Sequence, residues 1–135
     1  MTRKPLKESE LDKFRQFIQH LRIKSREIPV IVKSEREKRV LAGMEIKNVI
    51  CISRPLSDFA EKMAEKAGEC ILLLDVDKGG RELYKEVKSE LELQGVKIDQ
   101  RFEQFIFHIP LKKIEGIPKY IEKHLMDTPR KITEL

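Results

Sequence analysis

Cys70-Ile71-Leu72-Leu73-Leu74-Asp75-Val76-Asp77-Lys78-Gly79-Gly80-Arg81 is the stretch on which the fold turns. Its unbroken apolar run lacks the in-out alternation of a half-exposed strand and fits a strand buried on both faces. The run stops abruptly at two carboxylates one residue apart, followed by a lysine and two glycines. Beyond them Leu83, Val87 and Leu91 recur at helical spacing as far as Gly95, so a helix follows the acidic turn. Two similar runs lie upstream, Glu27-Ile28-Pro29-Val30-Ile31-Val32 and Val49-Ile50-Cys51-Ile52. Between these runs the pattern changes to a helical period. Ser34 with Glu37 three residues on has capping-box spacing. Leu56, Phe59, Ala60, Met63 and Ala67 form one apolar face, with Pro55 in the first turn and Gly68 at the end. Apolar strands separated by helices predict an α/β domain with a mostly parallel sheet of about four strands and helices on both faces.

Moving outward, Leu11, Phe14, Ile18 and Leu21 predict an N-terminal helix within residues 1–26. The α/β domain itself is expected over 27–126, with a flexible tail over 127–135. Val96 to Ile98 is read as the fourth strand, and Phe102 to Ile109 fits either a strand or a helical turn. Ile114, Ile117, Ile121 and Leu125 fit a terminal helix with Pro118 in its first turn.

A chain of 135 residues suits one domain. No stretch reaches the roughly 18 apolar residues of a membrane span, and Met1-Thr2-Arg3-Lys4-Pro5 does not open an apolar signal core, so no membrane contact and a cytoplasmic location are expected. Cys51 and Cys70 sit in apolar runs without a cysteine or histidine at zinc spacing, which predicts buried, reduced thiols. The histidines His20, His108 and His124 are scattered. Net charge is +5, and residues 1–40 alone carry twelve Lys/Arg against six acids. A basic first third favours a polyanionic partner, and a solvated surface would look the same.

Ligand sites of open α/β sheets form at the carboxyl ends of the strands, where Asp75 and Asp77 fall. Two such carboxylates suit a hard cation such as Mg²⁺, which would polarise a phosphate oxygen in phosphoryl chemistry. Gly79 and Gly80 are expected to free the backbone ahead of the next helix, whose N-terminus would favour a phosphate, with Lys78 and Arg81 to neutralise it. The same residues also suit a plain polar turn that caps the helix.

Ile28 to Glu37 together with Leu72 to Leu83 resembles the Toprim domain of topoisomerases, primases and recombination mediators. It is most similar to small stand-alone Toprim proteins of archaea and bacteria and to the ribosomal RNA maturation nuclease; Lys113 to Ile121 resembles their C-terminal region. The resemblance implies a Rossmann-like Toprim fold, a link to DNA or RNA, and a Mg²⁺ site at Asp75 and Asp77. Lys78 and Gly80 match the usual basic residue and glycine. The family's general acid/base glutamate, however, falls at Lys33, and its following glycine at Ser34. The leading expectation is therefore a nucleic-acid-associated protein with reduced or lost catalysis, contacting phosphates through Lys78, Arg81 and Arg36. A second reading is an active Mg²⁺-dependent nuclease or primase-like phosphotransfer enzyme in which Glu35 replaces the missing acid. A third is a protein-interaction scaffold, such as a homodimer, without metal or nucleic acid.

Overall fold

In the computed structural model, residues 8–102 and residue 116 are described. The chain enters through helix α1 (Glu8–Lys24) and turns into β1 (Val30–Val32), which is followed by α2 (Glu35–Ala42) and β2 (Val49–Cys51). Next come α3 (Leu56–Lys66), β3 (Glu69–Leu72), α4 (Lys78–Leu93) and β4 (Lys97–Ile98). The four strands form one sheet in the order β2-β1-β3-β4, and every pairing is parallel. The expected α/β architecture is thus present.

Register explains why these strands are apolar throughout. Val30 pairs with both Val49 and Ile71, and Ile31 with both Ile50 and Leu72, so β1 is central. Along it the side chains alternate between two separate cores. Val30 and Val32 join Ile71 and Leu73 against Phe14, Ile18 and Leu21 of α1 and Leu41 of α2. Ile31 joins Cys70 and Leu72 against Phe59 and Met63 of α3 and Val87 and Leu91 of α4. β1, and β3 from Cys70 on, therefore need apolar residues at both parities. Helix α1, set apart from the domain in the sequence reading, packs into the same core as the sheet.

The strands are shorter than their apolar runs. Ile28 and Pro29 precede β1, and Leu73 and Leu74 extend beyond β3 while remaining buried. The ladder nevertheless continues past the strand ends: Leu73 N–H donates to Ile31 O and Ile52 N–H to Val32 O, both at 2.9 Å. Pro55 stands at the N-cap of α3 rather than inside its first turn. Gly95, with φ of 81°, takes the left-handed turn that ends α4, a conformation glycine adopts without a Cβ penalty. The readings of 103–115 and 117–135, including the terminal helix and tail, lie outside the described residues.

Chain direction across the sheet fixes the site. From β1 the chain moves to β2 on one side, then passes over to β3 and β4 on the other. The reversal leaves a crevice at the carboxyl ends of β1 and β3, the place where ligands bind in open α/β sheets.

Candidate functional site at the carboxyl edge of the sheet

Both halves of the sequence signature reach this edge. Lys33 and Ser34 leave β1 there, while Asp75, Val76 and Asp77 follow the extension of β3. Continuing the β1/β3 register sets Lys33 opposite Leu74, one residue short of Asp75. The structure thus brings the Lys33 loop beside the aspartates. It does not join them: Lys33 is exposed and its ammonium forms no ion pair with Asp75 or Asp77. A long exposed lysine gains little from such a pair and loses side-chain freedom by making it.

Asp77 has a defined task. It is the N-cap of α4, where its Oδ1 accepts from Gly80 N–H at 2.8 Å. The carboxylate thereby occupies the positive end of the helix, the position expected for a ligand phosphate. Gly79 and Gly80 are not ahead of the helix but inside its first turn. Gly80 is required there by contact: a Cβ would stand 1.9 Å from Asp75 O and 2.7 Å from Asp75 C. Helix α4 starts directly on the Asp75 backbone because this residue has no side chain. Arg81 adds a further tie, its Nε donating to Val76 O at 3.1 Å. Loop 75–77 is therefore held by a cap, a close backbone approach and a guanidinium, and the two aspartates are half-buried within it.

The opposite lip of the crevice is built by α2. Ser34 is at its N-cap, as expected, but makes no side-chain bond to the helix backbone. Its hydroxyl donates instead to Glu37, a buried carboxylate. Half of the predicted capping box is thus diverted into a side-chain pair. Glu35 opens the helix and accepts from Cys51 Sγ at 3.5 Å. Burial raises the pKa of the Cys51 thiol, and the Glu35 carboxylate raises it further. Cys51 is half-buried, not buried as expected, because it ends β2 at this open edge. Cys70 is fully buried, and desolvation pushes its thiol up to about 12. Cys51 pairs with Val32, which sets the thiol level with the Lys33 loop; no sequence signal marks the Cys51–Glu35 contact.

Lys78 and Arg36 are exposed at the starts of α4 and α2, so the basic residues chosen from sequence do share this edge. The donor set for Mg²⁺ is less favourable. Among the described residues no group of three or more His, Cys, Asp or Glu is placed to hold a metal ion. Asp77 is engaged as a cap, Glu37 with Ser34 and Glu35 with Cys51.

No protein-family model matches the chain. A solved structure of a protein from Aquifex aeolicus is similar, with a TM-score of 0.70 and 30% identity, covering 75% of this chain and 94% of that one. A UPF0292 protein of Thermococcus onnurineus is 30% identical over 112 residues, 82% of this chain and 77% of the relative. A UPF0292 protein of Methanocaldococcus jannaschii is 30% identical over 120 residues, 84% of this chain and 94% of the relative. With the relative matched along almost its whole length, the chain belongs to the UPF0292 protein family.

Proposed function

We propose that this protein is a Toprim-like, nucleic-acid-associated module that meets phosphates at the carboxyl edge of its sheet and has reduced or lost metal-dependent catalysis. The observation that carries the reading is the exposed Lys33 at the switch point, on the loop beside Asp75 and Asp77. In the Toprim pattern a glutamate stands at that position as general acid/base. With a lysine there, the site offers a cation to a phosphate and lacks the group that would move a proton. Lys78 and Arg36 add positive charge along the same edge, and the basic first third of the chain supports a polyanionic partner.

Binding through phosphate contacts is expected to be weak and steeply salt-dependent, since each neutralised phosphate releases counterions. A fluorescently labelled oligonucleotide titrated at about 50 mM and about 200 mM salt tests this. Affinity should fall by more than about tenfold between the two, and the oligonucleotide should remain intact with millimolar Mg²⁺ present. Absence of association at the lower salt would remove the nucleic-acid reading and favour the scaffold. Cleavage that depends on Glu35 would favour the enzyme.

A further inference from the structure

A second basic surface lies away from the carboxyl edge. One face of α1 presents Lys13, Gln16, His20, Ile23 and Lys24 in a stripe down the helix, and Arg101 lies alongside. Between them runs a groove of about 490 Å³. That size falls within the roughly 300–1,000 Å³ of ligand sites. Phe17 and Phe102 form its floor, their rings 5.7 Å apart and edge to face. Ile23 is 56% exposed, one of two large hydrophobics so exposed among the described residues.

The cations on this face line the groove, although Arg101 also pairs with the buried Asp99. Arg22 donates to Met44 O at 2.7 Å and Arg15 pairs with Asp12 at 3.5 Å, both outside the groove. Within it, Lys24 meets Glu27, the one acid among the described residues of the lining, at 3.4 Å in an exposed pair. Such a pair is readily exchanged for a stronger anion. Arg101 is oriented by a two-point bond to Asp99, at 3.0 Å and 2.7 Å, and still carries further N–H donors. Eleven positions separate Lys13 from Lys24, which is about 16 Å along a helix axis. One phosphate cannot reach both, whereas an extended strand with repeated phosphates can.

We infer that this groove binds a short length of single-stranded nucleic acid, its phosphates along Lys13, Lys24 and Arg101 and a base against Ile23. The inference rests on the nucleic-acid reading above and adds a surface distinct from the carboxyl edge. A cationic groove that tracks the backbone is the sequence-tolerant part of strand binding, and here the exposed Ile23, not the buried Phe17 and Phe102, offers the apolar contact.

The test is a titration of the isotope-labelled full chain with a thymidine hexanucleotide at about 50 mM salt, followed by amide chemical shifts. Shifts are expected at Gln16, His20, Lys24, Arg101 and Phe102. Lys13→Gln/Lys24→Gln should weaken binding about tenfold or more while lowering the thermal melt only slightly, since the charge is removed without setting a second acid beside Glu27. Shifts confined to Lys33, Ser34, Asp77 and Lys78 would overturn the groove and leave the edge reading standing. Shifts confined to the groove would do the reverse. No binding would overturn both, and binding unaffected by the double variant would overturn the groove.

Discussion

On the proposed Toprim-like reading, Lys33 stands where a metal-dependent site would carry a glutamate, and that makes a prediction in both directions. Lys33→Glu sets a third carboxylate on the loop beside Asp75 and Asp77. Without metal, a third carboxylate at this edge repels the other two through solvent, and the variant should be less stable by about 1 kcal/mol or less. Millimolar Mg²⁺ should restore about 1 kcal/mol or more to the variant and less to the parent, because a ligand of the folded state alone raises stability. Thermal melts of both proteins with and without Mg²⁺ measure the four values. An equal gain in the parent, or none in the variant, would mean that Lys33 is not what limits the site. At this scale the sequence was informative about position and weak about partners. Asp75, Asp77 and Lys33 were assigned to strand ends by the apolar runs before them. That Asp77 caps a helix, that Glu37 takes the Ser34 hydroxyl and that Glu35 meets Cys51 depends on side-chain direction, which spacing does not encode.

The acidic turn and α4 act as one element, and their junction sets how rigid the site is. Gly80→Ala would force a methyl into the Asp75 carbonyl, at 1.9 Å, and the obstacle is backbone, which cannot swing aside. Overpacking of this kind costs about 1–3 kcal/mol. Asp77→Ala removes one cap bond and leaves a first-turn donor unmet, at about 1 kcal/mol. Denaturant unfolding should therefore rank Gly80→Ala below Asp77→Ala, and both below the parent. The reverse order would show that the close approach at Asp75 is relieved cheaply. The sequence reading of this element succeeded on the strand and helix and missed their boundary. Two glycines look like a loop, yet Asp77 starts the helix before them, and Gly80 is selected by contact with Asp75 rather than by a turn.

At the scale of the molecule, parallel strands covered on both faces were legible from the unbroken apolar runs, because both parities of the central strands β1 and β3 are buried. The strand order was not, since local pattern carries no information about which neighbour a strand takes. That order places Lys33 and the aspartates on either side of one crevice, and it also tucks α1 into the core while leaving a basic stripe of it outside. The central claim is that the crevice between β1 and β3 is where phosphate is met. Oligonucleotide affinity of the parent against Lys33→Glu/Lys78→Glu, measured across a salt series without metal, addresses it most directly. The double variant should bind about tenfold or more weakly, with a log–log salt slope shallower by about two, one for each lost phosphate contact. Affinity and slope equal to those of the parent would contradict the assignment of the phosphate site to this edge.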